Sequence, residues 1–299
     1  SYIHTNSWGT DGYYGEYTTS SEDADSRTSQ YDQFWSYNGM LVLVSAGNDG
    51  PDSDTITPPA TAKNVVAVGN HHNRGGGAPS TLADGSSRGP TDDGRIKPDV
   101  TAPGSWVRSC RSQDAGDTAG SSWDSTWYLE YSGTSMAAPN AAGASVLIRE
   151  YLMEVAGRPS PQGALIKGML ILGAEDTGSR DIPNMNEGWG RVNLANSLIP
   201  GTDTGVWVDD RNTIRSGQTR EYQFNLSRGN TPFKAVLTWS DYPGSTWAST
   251  QLQNNLDMVI TAPDGTVYKG NDFANGRSTT GGDADDVNNV EVVLIDQAS

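Results

Sequence analysis

Two short stretches carry residues able to do chemistry. In YSGTSMAAP, Ser135 lies between a glycine-containing turn and the start of a helix. Free backbone N–H groups and the helix dipole favour negative charge at such a place. A serine there either caps the helix or acts as a nucleophile, and as a nucleophile it needs a base, itself oriented by a carboxylate. In MLVLVSAGNDG, a β-branched apolar run stops at Gly47-Asn48 and presents a carboxamide on a turn. Gly and Asn both tolerate positive φ and Asp-Gly-Pro follows, so a plain strand and turn accounts for these residues as well as an exposed hydrogen-bond donor does.

Whatever positions Ser135 and Asn48 must come from a loop-rich globular chain. Its 299 residues suit one large domain and a smaller one, and 34% apolar content with 35 glycines argues against a helical bundle. MLVLVSAG and NVVAVGN lack polar alternation, the pattern of strands buried on both faces of a parallel sheet. SMAAPNAAGASVLIREYLME reads as a helix whose small residues let neighbours approach from all sides, with Pro139 expected in the first turn. SPQGALIKGMLILGA reads as a second helix, with Ser160 as N-cap and Gly173 as the stop. After VNLANSLIPGTDTG the texture changes to short alternating runs, REYQFNL, FKAVLTWS, LDMVITAPDGTVYKG and NNVEVVLI, where APDG marks a hairpin turn. The expected organisation is therefore an α/β parallel-sheet domain over residues 1–199 and an all-β sandwich or jelly roll over 200–299.

Charge narrows the partners. Twenty basic against 36 acidic residues give a formal charge of −16. A surface this negative repels nucleic-acid phosphates and anionic lipid heads and attracts divalent cations. No stretch approaches the about 20 apolar residues of a membrane span. Cys110 is the single cysteine, which excludes an internal disulfide and a cysteine-rich metal site.

GTSMAAP resembles the nucleophile motif of the subtilisin-like serine proteases, and three further stretches agree in order: NSWG at Asn6–Gly9, SAGN at Ser45–Asn48, and SSRGPTDDGRIKPDVTAPG between SAGN and the serine. The resemblance runs to about residue 199, and NNLDMVITAPDG with GNDF resembles the jelly-roll domain that follows the catalytic domain in a branch of this family. It implies a peptidase in which Ser135 is the nucleophile and Asn48 the side-chain donor to the oxyanion, beside the Ser135 N–H. It implies a peptide cleft lined by Ser7, Trp8, Gly9, Ala46, Gly47 and Gly133, with an extended substrate added to the edge around Ser7–Gly9. Substrates would be proteins or peptides, with apolar or aromatic side chains favoured, and the enzyme would be secreted. No organic cofactor is implied.

The family's triad runs Asp, His, Ser along the chain. None of His4, His71 and His72 lies in a His-Gly-Thr-His motif, and the two Asp-Thr-Gly motifs, at Asp176 and Asp203, follow Ser135. All three histidines are read as packing or surface residues. The expectation is an internal piece of a larger protease whose Asp and His reside in a missing N-terminal segment and whose jelly roll is cut short. The alternative is a non-catalytic module whose β-domain binds calcium or a partner. Calcium prefers oxygen ligands from loops, and the resemblance implies calcium here, with Asp241, Asp257, Asp272 and Glu291 as candidate ligands near turns and Asn271 and Asn289 adjacent.

Overall fold

The computed structural model describes residues 2–29, 39–73, 78, 81–112, 127–199, 201, 204–226, 229 and 231–298. Asp203 lies outside them.

Four parallel strands form the framework: β1 (Ile3–Asn6), β2 (Leu41–Ser45), β3 (Val66–His71) and β4 (Val100–Pro103), hydrogen-bonded in the order β1-β2-β3-β4. Every residue of β2 and β3 is buried, as an unbroken β-branched run requires when both faces of the sheet are covered. Between β1 and β2 runs α1 (Thr19–Ser29), a polar helix that buries Ser21, Asp25 and Thr28 instead of an apolar stripe. Beyond β4, β5 (Val107–Cys110) and β6 (Tyr128–Tyr131) pair antiparallel.

The long helix α2 (Thr134–Glu154) packs its alanines against the sheet: Ala137, Ala138 and Ala141 are fully buried in one core with Leu43, Val68 and Val100. Pro139 lies inside this helix, not in its first turn. The next helix, α3 (Gly163–Gly173), starts later than expected. Its N-cap is Gln162, while Ser160 turns its carbonyl and hydroxyl oxygens to Arg211 at 2.7 and 3.0 Å. A short helix, α4 (Leu194–Leu198), follows, capped by the Asn193 side chain.

The remaining strands make small antiparallel pairs. The longest ribbon joins β7 (Thr231–Thr238) to β12 (Val290–Ala298). Between them lie the hairpin β8 (Val259–Thr261) with β9 (Val267–Lys269), closed by Ala262–Gly265 as APDG predicts, and the pair β10 (Phe273–Ala274) with β11 (Arg277–Ser278). REYQFNL forms no strand. The β7–β12 ribbon packs on α3: Thr238 Oγ1 donates to the Ala164 carbonyl at 2.7 Å, and Val290 and Val292 join the core of Leu41, Ile166 and Leu170. Among the described residues no helix is long and apolar enough to cross a membrane.

Candidate active site

The C-terminal end of β2 meets the first turn of α2. Gly47 adopts a φ of +116°, and a Cβ there would sit 2.5 Å from Ser87 Oγ, so only glycine fits. That turn carries Asn48 to the surface, where the Thr134 N–H donates to Asn48 Oδ1 at 2.9 Å. The Thr134 hydroxyl stands 3.0 Å from the same oxygen and 3.1 Å from the Gly47 carbonyl, and it accepts from the Gly47 N–H at 3.3 Å. A backbone N–H can only donate, so the Asn48 atom facing Thr134 is the carbonyl oxygen. Nδ2 is thereby turned away from Thr134, and it has no partner among the described residues.

Ser135 is the second residue of α2. Gly133, the N-cap, has no side chain to bond the exposed N–H groups of the first turn, and the Ser135 N–H meets no acceptor among the described residues. Pro139 has a further effect: four residues after Ser135, it lacks the N–H that would occupy the Ser135 carbonyl. Ser7 Oγ donates to that carbonyl at 2.8 Å, and Ser135 Oγ donates to the Ser7 carbonyl at 3.4 Å. The fold therefore joins Ser7, Asn48 and Ser135, residues widely separated in sequence.

The other cleft candidates have distinct environments. Strand β1 ends at Asn6, so Ser7, Trp8 and Gly9 follow it as an exposed non-strand segment, with Gly9 against the Thr57 side chain. Ala46 is fully buried, its N–H bonded to Val68 and its carbonyl to the Thr57 N–H, so it supports the turn from behind. Gly133 is half-buried and donates its N–H to Gly104.

No histidine among the described residues hydrogen-bonds Ser135 Oγ. His4 Nε2 lies 2.9 Å from Asn6 Oδ1 on the surface, and His71 Nδ1 lies 3.0 Å from the His72 carbonyl. Both His71 and His72 line a separate 340 Å³ cavity with Glu175 and Arg191. Asp176 accepts the N–H groups of Asp181 and Ile182 within its own loop.

The four acidic residues expected near calcium do not assemble. Asp241 is completely buried beside the Lys63 ammonium at 3.6 Å, and its carboxylate accepts from Gln253 N–H and from Asn254 backbone and side chain. A positive side chain and three donors leave it no capacity for a metal. Asp257 is exposed, and Asp272 accepts the Gly282 N–H at 2.9 Å. Glu291 is 1% exposed and accepts the Met258 N–H; burial, reinforced by Asp285 and Asp257, pushes its carboxyl up to about 8. Asn289 is spent on Asn64 and the Trp239 carbonyl, and Asn271 on Asp285 and the Val290 carbonyl. Sequence reading missed Thr134, and it placed Ser7 in the cleft without its bond to Ser135, because no local pattern marks a contact across 86 or 128 positions.

A parallel sheet delivering a strand-end asparagine to a helix-start serine is the arrangement of a subtilisin-like α/β protein, and residues 1–190 match the profile of the Subtilase family. The chain belongs to that family, whose members are serine proteases. The serine protease AprX of Bacillus subtilis is 37% identical over 184 residues, covering 60% of this chain and 39% of that protein. The serine protease/ABC transporter B family protein tagD of Dictyostelium discoideum is 28% identical over 272 residues, 70% of this chain and 15% of that protein. The chain thus spans well under half the length of either relative. Among solved structures, the patellamide maturation protease PatA aligns over 67% of this chain and 62% of its own, at 24% identity and a TM-score of 0.49.

Proposed function

We propose that this chain carries the nucleophile and the oxyanion site of a secreted serine endopeptidase acting on proteins or peptides. Ser135 Oγ attacks the scissile carbonyl carbon, its proton leaves to a base, and the carbonyl oxygen takes the negative charge. Asn48 Nδ2 and the Ser135 N–H donate to that oxygen, while Ser7–Gly9 and the Gly47 and Gly133 turns flank the peptide. The base and its orienting carboxylate come from a segment outside these 299 residues. Residues 1–199 are the peptidase part, and 200–299 belong to a jelly-roll domain. The observation that carries this reading is the Asn48 carboxamide, held through its oxygen by Thr134 so that its N–H₂ is free beside the nucleophile's helix turn. A neutral amide fixed in this way donates to a developing oxyanion without reorganising at the moment of reaction.

Labelling with a serine-directed phosphonate, read by mass spectrometry, tests the proposal. The isolated chain labels slowly at Ser135, and adding the base-bearing segment accelerates labelling and restores peptide hydrolysis. Rapid labelling of the chain alone, lost in Ser135→Ala, would place the base within this sequence. No labelling at Ser135 in a longer, peptide-cleaving form would remove it as nucleophile.

A further inference from the structure

We propose that Thr57 forms a raised floor in the substrate pocket, so that this chain favours a small, alanine-sized side chain at the residue whose carbonyl is attacked. The proposal rests on the peptidase reading and narrows its substrate class. Where that side chain goes follows from the site. With the scissile carbonyl carbon at Ser135 Oγ and its oxygen at Asn48 Nδ2, the residue that owns the carbonyl lies between Ser7–Gly9 and Ala46–Gly47. Ser7 is bonded to Ser135, and Gly47 directly precedes Asn48. The side chain enters whatever room these two backbone segments leave.

Thr57 occupies that room. A Cβ built on Gly9 would overlap Thr57 Oγ1 and stand 3.0 Å from Thr57 Cβ. One built on Gly47 would stand 2.9 Å from the same oxygen and 3.1 Å from Thr57 Cγ2. A single threonine side chain therefore touches both walls, its hydroxyl toward Gly9 and its hydroxyl and methyl toward Gly47. Thr57 is 2% exposed, so little open depth remains above it.

The walls are tied and do not part easily to compensate. Both hang on the segment that carries Thr57: its N–H donates to the Ala46 carbonyl at 3.0 Å, and the Thr10 N–H donates to the Pro58 carbonyl at 2.9 Å. The Gly15 N–H adds a bond to the Ile56 carbonyl at 2.9 Å, and the Ala46 N–H one to Val68 at 3.0 Å. Moving either wall outward breaks backbone hydrogen bonds. From behind, Ile56 and Ala46 are fully buried in one core with Val44 and Ala60, which holds the floor in place. A methyl group fits above Thr57, whereas a phenyl ring needs the volume that the threonine fills, and overpacking a tied site is destabilising. Of the apolar and aromatic side chains that the family resemblance implies, this geometry keeps the small apolar ones and excludes the rings.

Two readouts test the floor. In a form of the protein that cleaves peptides, kcat/KM is compared for peptide p-nitroanilides that differ only in an alanine or a phenylalanine before the scissile bond. Alanine is expected to lead by about tenfold or more, since a side chain that the pocket does not seat loses transition-state binding. The same preference is read without hydrolysis from the rates at which alanine and phenylalanine phosphonates label Ser135. Thr57→Ala and Thr57→Gly lower the floor, and each is expected to reduce both ratios by about tenfold or more. Thr57→Val keeps the volume without the hydroxyl and is expected to preserve the ratios. Circular dichroism checks that each variant folds. A phenylalanine substrate handled as well as the alanine one by the unsubstituted protein, or ratios unmoved in the folded Thr57→Ala and Thr57→Gly variants, overturns the floor and leaves Ser135 as nucleophile. Absence of both cleavage and labelling at Ser135 overturns the peptidase reading and this proposal with it.

Discussion

The Asn48–Ser135 corner and the Lys63 junction both gather side chains from distant parts of the chain, and they treat polar groups in opposite ways. At the corner, Asn48 spends its oxygen on Thr134 and leaves its N–H₂ open at the surface. At the junction nothing is left open. Lys63 is fully buried between Asp25 of α1 at 3.2 Å and Asp241 after β7 at 3.6 Å. Tyr17 and the N–H groups of Lys63 and Asn64 saturate Asp25 further, and the Gln253–Asn254 donors saturate Asp241. A site meant to bind must keep hydrogen-bonding capacity in reserve, whereas a joint must exhaust it, because buried unmet polarity is destabilising.

That contrast predicts where substitutions cost stability and where they cost rate. Lys63→Met leaves two carboxylates buried without their cation, so it should lower unfolding stability by about 3–5 kcal/mol. Urea titration measures this, and a loss below about 1 kcal/mol would mean that the junction relaxes by admitting water. Asn48→Ala has the opposite profile. In a form of the protein that cleaves peptides, kcat should fall by about 10²–10³ with little change in stability, as an exposed donor to the oxyanion requires. An equal loss of stability and rate would make Asn48 a turn residue.

The same contrast explains what the sequence reveals. Strands β2 and β3 are legible because burial on both faces demands continuous β-branched residues, and α2 because its alanines mark close packing. Helix α1 is not legible, since what it buries is polar and serves Asp25's role at the junction. Asn48 stands out as an exposed carboxamide, but which of its two atoms faces outward depends on Thr134, 86 positions away. The acidic residues near turns mislead for the same reason: Asp241 answers to Lys63, 178 positions upstream by number (241 − 63), and only the fold supplies that partner. REYQFNL alternates like a strand, yet Tyr222 and Phe224 meet Trp207 edge-to-face with ring centroids 5.1 Å apart, and among the described residues no strand pairs with it.

A smaller effect probes whether the β7–β12 ribbon is part of the joint or merely attached to it. Val292 is fully buried in the core shared with β2 and α3. Val292→Ala removes two methyl groups' worth of burial and should lower stability by about 2 kcal/mol. If the ribbon and the sheet form one cooperative unit, fluorescence and far-ultraviolet circular dichroism report a single shifted transition. Two separated transitions would show that the ribbon unfolds by itself.

The last effect concerns Glu291, the residue before Val292 on β12, where a buried polar group is not saturated. Its Oε2 accepts the Met258 N–H, while Oε1 is buried without a donor. Burial raises its carboxyl from 4.5 to about 8 in the folded protein. The folded state then binds one more proton than the unfolded chain between those two values, so stability falls as pH rises through that window and levels off above about 8. Glu291→Gln keeps a carbonyl for the Met258 N–H and carries no charge at any pH. Below pH 4.5 the variant and the parent should melt together, and by pH 8.5 the variant should melt several degrees higher, since a raised pKa of this size is a change of several kcal/mol in stability. Parallel melting curves across the whole range would mean that Glu291 ionises freely, and that the junction and its flank are saturated alike.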